Sequence, residues 1–194
     1  MLELRKVAVT GGLASGKSTV CLLFEKKGAY RVSADAIIHQ LLSSKTSARL
    51  QVINLLGPDI LEGDIISRSR IASSVFSSPE KLKKLESILH PAALAVIEQE
   101  YQKAIDQKAP LFIAEVPLLL ESGFEKNFDA VITVEASLEE RRKRYKKDDF
   151  DSRISHQLSD EERARKADYI IENKGDMPFL EAQINPIFSI LTRG

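Results

Sequence analysis

A nine-residue segment near the start of the chain has the composition and spacing of a phosphate-binding loop. It follows the pattern G-x-x-x-x-G-K-[ST] and reads Gly11-Gly12-Leu13-Ala14-Ser15-Gly16-Lys17-Ser18-Thr19. An apolar run precedes the segment and a helical pattern follows it, so the loop joins a strand to the N-terminus of a helix. Glycines let backbone N–H groups turn toward phosphate oxygens, and the helix N-terminus adds positive potential. The segment predicts a nucleoside triphosphate site.

Two side chains of this loop have specific chemistry. We expect Lys17 to contact the β- and γ-phosphates of ATP and the Ser18 hydroxyl to ligate Mg²⁺. Kinases, GTPases, motor ATPases and regulatory switches all use such a loop, so the loop alone does not decide among them. The segment Asn173-Lys174-Gly175-Asp176 spells the base-recognition motif of GTPases, but only about 18 residues follow it. GTPases place a further strand after that motif, and these residues read as one helix, so we disfavour a GTPase.

Short apolar runs rich in β-branched residues alternate with longer stretches of helical period. The runs are Lys6–Thr10, Tyr30–Val32, Leu111–Val116, Ala130–Val134 and Tyr169–Glu172. The longer helical stretches are Lys17–Lys27, Leu82–Leu89, Ala92–Ile105 and Met177–Leu191. Strands that are apolar on both faces and alternate with helices indicate a parallel sheet covered on both sides. The predicted fold class is α/β, a five-stranded parallel sheet flanked by helices.

The spacing of the strands predicts two insertions in a single domain that spans residues 1–194. The first covers approximately residues 36–110, between the second and third strands, and reads almost entirely as helix. The second covers approximately residues 137–167 and is highly charged. Insertions in such folds usually lie over the carboxyl ends of the strands, where ligands bind, so we expect both insertions near the phosphate loop.

Composition excludes several classes of protein. The 28 basic and 28 acidic residues give a formal net charge of zero, which excludes a strong overall field attracting nucleic acid or an anionic membrane. The single cysteine, Cys21, excludes an internal disulfide and indicates a reducing compartment. No apolar run approaches the ~20 residues needed to cross a bilayer. We expect a soluble, cytoplasmic protein that is a monomer or weak oligomer and binds neither nucleic acid nor membrane.

Five segments, in this order and spacing, resemble the dephospho-CoA kinase family. They are Thr10 to Thr19, Ser33-Ala34-Asp35, Leu85-Glu86-x-x-Leu89-His90-Pro91, Glu115-Val116-Pro117-Leu118-Leu119-Leu120-Glu121 and Arg153-Ile154-x-x-Gln157. The resemblance implies a P-loop kinase that transfers the γ-phosphoryl group of ATP, with Mg²⁺, to the ribose 3′-hydroxyl of dephospho-CoA. It further implies that the first insertion binds the acceptor and that the second is a lid. The alternatives are a kinase for nucleosides or nucleoside monophosphates, and a non-catalytic nucleotide switch.

The resemblance implies that Asp35 accepts the proton of the acceptor hydroxyl. From residue type alone, Asp35 could instead be the N-cap of the helix that follows it. Ser33 departs from the family's D-A-D segment, which weakens any role of that first carboxylate. Glu115 stands where a strand ends, the position of an acid that holds Mg²⁺ through water, and its alternative role is that of a charge leaving a strand.

For the acceptor, the resemblance implies contacts from residues of the first insertion and of the P-L-L-x-E segment: Arg68, His90, Pro117, Leu118 and Glu121. His39 is a further candidate, because it lies on the same predicted helical face as Asp35, four residues later. Arginine forks match phosphate oxygens, and Arg68 fits the family position better than Arg70 does. His90 could simply end one helix, with Pro91 beginning the next.

Residues 141–147 carry six positive charges in seven positions. Such a run is often a solvated helix face, whereas at this position it resembles a lid helix that closes over the transferring phosphoryl group. The resemblance makes Arg144 and Lys147 lid candidates and assigns a catalytic role to Arg153, while Arg141 and Arg142 could equally face water. It also implies that Asn173 contacts adenine through its amide.

Overall fold

The computed structural model describes residues 3–76 and 78–193, with Phe76 described by its backbone alone. The chain forms two compact units. One comprises Met1–Ser33 and Tyr101–Gly194, and the other comprises Ala34–Glu100. The sequence predicted an insertion over residues 36–110.

The first unit is built on a five-stranded parallel sheet, as predicted, in the order β2-β5-β1-β6-β7. Its strands are β1 (Lys6–Gly11), β2 (Tyr30–Ser33), β5 (Phe112–Glu115), β6 (Ala130–Glu135) and β7 (Tyr169–Glu172). The strand β1 is buried along its whole length and lies at the centre of the sheet. A strand buried on both faces needs apolar residues at successive positions, which is why these runs were recognisable in the sequence.

Helices cover both faces of this sheet. They are α1 (Lys17–Lys26), α6 (Leu138–Arg144), α7 (Phe150–Ile154), α8 (Asp160–Lys166) and α9 (Met177–Thr192). On one face Val7, Val9 and Ile132 pack with apolar residues of α1 and α9, including Phe24 and Ile184. On the other face a smaller cluster joins Ala8 and Val131 to residues that follow β5 and residues around α8, including Leu119, Leu120, Leu158 and Ala167.

The second unit consists mainly of helices, with a two-stranded antiparallel hairpin. The helices are α2 (Ala34–Ser43), α3 (Ser47–Leu56), α4 (Arg68–Phe76) and α5 (Pro79–Asp106), whose last residues, from Tyr101, belong to the first unit. The core of this unit is Leu42, Val52, Ile60, Ile66, Ile71, Leu85 and Leu89. Five of these residues come from the four helices, and Ile60 and Ile66 come from the turn and strand around the hairpin.

The hairpin of the second unit was not predicted. It pairs β3 (Leu61–Glu62) with β4 (Ile65–Ile66) through the two-residue turn Gly63-Asp64, and Gly63 has a φ of 62°. Gly-Asp between apolar residues is a known signal for such a turn, because glycine adopts positive φ without steric cost. The flanking strands are only two residues long, too short to show the alternation typical of a strand.

The prediction that one helix ends at His90 and another begins at Pro91 was wrong. Pro91 lies inside the continuous helix α5. A proline in a helix interior removes one backbone hydrogen bond and crowds the carbonyl four residues earlier, here that of Ser87. Both Pro91 and Ser87 lie on the exposed side of α5, where water can hydrate that carbonyl.

Among residues 3–76 and 78–193, no helix is long and apolar enough to cross a membrane.

Packing of α1 against the sheet generates a stability prediction with a matched control. Leu23 is 3% exposed in the core, whereas its neighbour Leu22 is 45% exposed. Leu23→Ala leaves a cavity and is expected to lower the free energy of unfolding by about 2–5 kcal/mol. Leu22→Ala is expected to change it by less than about 0.5 kcal/mol. Urea unfolding followed by circular dichroism measures both, and equal losses would contradict this packing of α1.

Candidate active site

The phosphate loop lies at the carboxyl end of β1, the central strand, and leads directly into α1. Gly16 is the N-cap of α1 and has a φ of 100°, a left-handed conformation that glycine adopts readily. The four N–H groups of the first turn of a helix have no intrahelical partner, and Gly16 has no side chain to cap them. The start of α1 therefore has the geometry of an anion site.

The Lys17 side chain folds back over the loop. Its ammonium group donates hydrogen bonds to the carbonyl oxygens of Gly11 and Gly12, each at 3.0 Å. This places a positive charge directly beside the loop backbone, where the charge of a bound polyphosphate would lie. The predicted role of Lys17 as a phosphate contact fits this position.

Ser18 and Glu115 meet across the carboxyl ends of β1 and β5. The Ser18 hydroxyl donates to the carboxylate Oε1 of Glu115 at 2.7 Å. Glu115 is the last residue of β5 and is 8% exposed, while Ser18 lies in the first turn of α1 and is exposed. Mg²⁺ prefers hydroxyl, carboxylate and water oxygens, so this pair fits the ion. Glu115 thus contacts the first turn of α1 from the end of β5.

Asn173, directly after β7, contacts the loop from the other side. It is buried, and its amide nitrogen donates to the Ser15 carbonyl oxygen at 2.8 Å. Its Oδ1 accepts a hydrogen bond from the Gly175 N–H at 3.0 Å. The sequence suggested Asn173 as an adenine contact, and in this structure its side chain also fixes the loop.

Arg144 is the predicted lid residue that lies against the loop. Its guanidinium group donates to the Ser15 carbonyl oxygen at 3.1 Å and to the Asn173 carbonyl oxygen at 3.2 Å. The other two candidates are exposed: Lys147 follows the end of α6, and Arg153 donates to Asp149 at 2.6 Å. The structure thus brings Arg144, but neither Lys147 nor Arg153, into contact with the phosphate loop.

The basic run is not one helix, contrary to the prediction. The helix α6 ends at Arg144, and Tyr145 is already extended, so Lys146 and Lys147 lie outside it. Extending α6 would place like charges four residues apart, at Arg142 and Lys146 and again at Lys143 and Lys147, which is unfavourable.

Arg141 and Arg142 differ in burial and in their partners, although the sequence gave no reason to distinguish them. Arg142 is exposed and pairs with Asp151. Arg141 is 5% exposed and donates from Nε to the Leu13 carbonyl oxygen at 2.8 Å. Burial lowers the pKa of its guanidinium group, an effect that the carboxylate of Asp160 opposes. Which cation of the run turns inward depends on how α6 packs, and no local pattern in the sequence reveals it.

Gln157 is a second loop contact to which the sequence gave no role. Its side-chain oxygen accepts the Leu13 N–H at 2.9 Å. The signal was present, because Gln157 belongs to one of the five motifs, but the residue type alone does not indicate a contact with a backbone 144 residues away.

A groove of about 520 Å³ adjoins the phosphate loop at Asn173. Its lining is mostly polar or acidic: Glu135, Ala136, Ser137, Glu140, Asp160, Glu172, Asn173 and Lys174. Burial raises the pKa of Glu135, and the negative charges of Asp160 and Glu172 raise it further, against the charge of Arg163. The Oε1 atom of Glu135 is buried and has no hydrogen-bond partner among the described residues. The groove therefore offers acceptor atoms to a ligand that donates hydrogen bonds.

Comparison with known proteins decides which kind of phosphate-loop protein this is. A family model described as dephospho-CoA kinase matches residues 5–178. A protein of Protochlamydia amoebophila named dephospho-CoA kinase is 46% identical over 199 residues, covering 98% of each chain. The chain belongs to the dephospho-CoA kinase family. The Asn173-Lys174-Gly175-Asp176 segment is accordingly not the mark of a GTPase.

Solved structures share the fold of this chain, and one of them is named a dephospho-CoA kinase. A crystal structure from Thermus thermophilus superposes with a TM-score of 0.85 at 30% identity, covering 98% of this chain and 99% of the other. The dephospho-CoA kinase of Campylobacter jejuni superposes with a TM-score of 0.71 at 27% identity, covering 97% of each chain.

Four residues for which the sequence predicts roles lie in the second compact unit. Asp35 is in the first turn of α2, so its alternative role as an N-cap was wrong, because α2 already begins at Ala34. His39 lies one turn further on the same helix, and both are exposed. Arg68 begins α4 and is also exposed. His90 is half-buried in α5, where burial lowers its pKa against the opposing effect of Glu86.

Arg70, the alternative to Arg68, makes contacts within the second unit. Arg70 donates to the carbonyl oxygen of Asp59 at 3.2 Å and pairs with Glu62 at 3.2 Å. Its guanidinium group therefore holds the chain beside the hairpin.

Residues of the P-L-L-x-E segment differ in their surroundings. The carbonyl oxygen of Pro117 accepts the Thr10 hydroxyl at 3.2 Å, and the side chain of Leu118 is exposed. Glu121 accepts the Leu158 N–H at 3.0 Å and lies 3.7 Å from Arg163. In this structure Glu121 thus anchors the segment that precedes α8, a role that the sequence did not suggest.

Proposed function

We propose that this protein transfers the γ-phosphoryl group of ATP to the ribose 3′-hydroxyl of dephospho-CoA, giving coenzyme A and ADP. The observation that carries the proposal is the contact between Ser18 and Glu115 beside a phosphate loop, in a chain of the dephospho-CoA kinase family. A phosphate loop alone would allow many reactions, and family membership narrows the acceptor to dephospho-CoA.

Binding of ATP is assigned to the first compact unit. The backbone from Gly12 to Thr19 and the Lys17 ammonium group surround the phosphates. Asn173 and the groove next to it are assigned to the nucleoside, because the acceptor atoms of the groove suit the amino group of adenine and the ribose hydroxyls. The groove adjoins the loop through Asn173, which lines the one and bonds to the other.

Ser18 is assigned as a direct ligand of Mg²⁺, and Glu115 is assigned to bind the ion through a water molecule. When bound, the ion would neutralise charge on the β- and γ-phosphates. Among the residues that the structure describes, no three His, Cys, Asp or Glu side chains lie together as a metal site. A magnesium ion at this loop would thus take its remaining ligands from the nucleotide and from water, as Mg²⁺ commonly does.

Asp35 is assigned as the general base that takes the proton of the acceptor. Its carboxylate accepts the proton of the 3′-hydroxyl as the new oxygen–phosphorus bond forms and the bond from the γ-phosphorus to the β,γ-bridging oxygen breaks. Asp35 follows the end of β2 by two residues, and Ser33, the last residue of β2, is in register with Glu115. Asp35 also has an exposed side chain, as a group that meets a substrate requires.

Cations of the charged segment are assigned to the transferring phosphoryl group. Its transition state spreads negative charge over the equatorial oxygens, which positive groups already in place stabilise. Arg144 contacts the loop, and Lys147 and Arg153 lie exposed in the same segment. Binding of the acceptor is assigned to Arg68, His90, Pro117, Leu118 and Glu121, as the family implies, and to His39, which lies on α2 four residues after Asp35.

An assay of ADP release with three acceptors tests the proposed reaction. With ATP and Mg²⁺ present, turnover with dephospho-CoA is expected to exceed turnover with AMP or adenosine by orders of magnitude. A preference for AMP would show a nucleotide kinase instead. Binding of ATP without turnover on any of the three acceptors would show a non-catalytic nucleotide switch.

The assignment of Asp35 generates a second prediction. Asp35→Asn keeps the shape of the side chain but removes its basicity, so kcat is expected to fall about 10²- to 10⁴-fold while KM for ATP changes little. Asp64→Asn, at the exposed turn of the hairpin, is the matched control and should leave both constants unchanged. Steady-state kinetics measures the difference. Activity of the Asp35 variant within a few-fold of the parent would exclude Asp35 as the proton acceptor.

A further inference from the structure

The N–H and the carbonyl oxygen of Leu13, in the phosphate loop, both make hydrogen bonds to side chains from outside the loop. Arg141 donates from Nε to the Leu13 carbonyl oxygen at 2.8 Å, and Gln157 accepts the Leu13 N–H at 2.9 Å. Arg141 lies in α6 and Gln157 between α7 and α8. We call these two contacts the Leu13 clamp.

The residue that the clamp holds, Leu13, is part of a strained turn. The Ser15 N–H donates to the Gly12 carbonyl oxygen at 3.1 Å, which closes a turn over Leu13 and Ala14. Ala14 has a φ of 58°, the left-handed conformation that turns of this kind require at their third position. A residue with a Cβ is disfavoured there by roughly 1–2 kcal/mol relative to glycine. Without support, the loop would therefore relax toward other conformations.

Arg141 occupies a place that is shaped for it. A Cβ added at Gly12 would lie 2.5 Å from the guanidinium carbon, so a larger residue there would displace this side chain. The guanidinium group is also 5.9 Å from the centre of the Phe150 ring. A buried charge is costly unless it is paired, and the counter-charge of Arg141 is Asp160, at 3.3 Å and 3.4 Å from the two carboxylate oxygens.

Asp160 is itself held by a second buried arginine. Arg163 is 2% exposed, hydrogen-bonds to Asp160 and to the Leu158 carbonyl oxygen, and lies 3.7 Å from Glu121. A chain of charged groups thus runs from Glu121 through Arg163 and Asp160 to Arg141. This chain fixes the guanidinium group before any ligand arrives.

We propose that Arg141, together with Gln157, is a positioning residue for ATP: the clamp holds the Leu13–Ala14 turn in the conformation that binds phosphate, and Arg141 itself contacts no substrate. This inference rests on the proposed function only in taking ATP as the ligand of the loop. A loop already in its binding conformation loses less conformational freedom when it binds, and its affinity is correspondingly higher.

Calorimetric titration with ATP tests the inference without any acceptor, so that it can fail independently of the proposed reaction. Arg141→Gln removes a charge-assisted hydrogen bond to the loop and is expected to raise the Kd for ATP roughly tenfold. In kinetics KM for ATP should rise likewise, with KM for dephospho-CoA unchanged. Arg142→Gln is the matched control, because Arg142 is exposed and pairs with Asp151, and it should alter the Kd less than twofold.

Substitution at Ala14 distinguishes positioning from a general structural role. Glycine relieves the strain of the left-handed turn, so in an Ala14→Gly background the loss caused by Arg141→Gln is expected to shrink to about threefold or less. If Arg141 only stabilised the fold, the two changes would be additive. Thermal unfolding of each variant with and without ATP establishes that the compared proteins are folded.

Gln157→Ala provides a test that leaves the buried charges intact. It is expected to raise the Kd for ATP in the same direction as Arg141→Gln but by less, since the lost bond is a neutral one. An unchanged Kd in both the Arg141 and the Gln157 variants would overturn the inference, and so would a full tenfold loss in the Ala14→Gly background. If the parent protein bound no ATP, the proposed function itself would fail.

Discussion

The phosphate loop lies so close to its neighbours that the rest of the first unit must be arranged around it. A Cβ at Gly11 would lie 2.3 Å from the Val134 carbonyl oxygen of β6, and a Cβ at Gly16 would lie 2.0 Å from the Asn173 amide nitrogen. Glycine at these positions brings the loop within hydrogen-bonding distance of groups on β6, α6 and the segment after β7. The close approach holds the loop backbone in place without a ligand.

The parallel sheet makes this arrangement possible. Its strands end at one edge, so Gly11, Glu115 and Asn173 converge although they are far apart in the sequence. Cations of α6 contact the loop, while acidic side chains from the ends of β6 and β7, from α6 and from α8 line the adjoining groove. A chain with zero net charge can therefore present a strongly polar site, because the fold gathers charged side chains of several elements beside the loop.

The residues that the sequence predicted well are those whose roles depend on local pattern. The five strands were recognisable from continuous apolar runs, and the phosphate loop from its glycines and Lys17.

The structure differs from the prediction where packing between distant segments decides which contacts a side chain makes. Arg141 and Arg142 are adjacent and of the same type, yet only Arg141 turns toward Leu13, because α6 presents that side to the loop. The bonds of Glu121 to Leu158 and Arg163, which add to its predicted contact with the acceptor, depend on elements about 40 residues away. Pro91 shows the converse, since a strong local signal for a helix start was overridden by the continuity of α5.

The most direct measurement follows the phosphoryl group itself. The protein is incubated with dephospho-CoA, Mg²⁺ and ATP labelled at the γ-phosphate, and the products are separated and examined by phosphorus NMR. The account predicts that the label enters coenzyme A as a monoester at the ribose 3′ position, in equal amount to the ADP formed. Label that appears only as free phosphate, or on any other position of the acceptor, would contradict it.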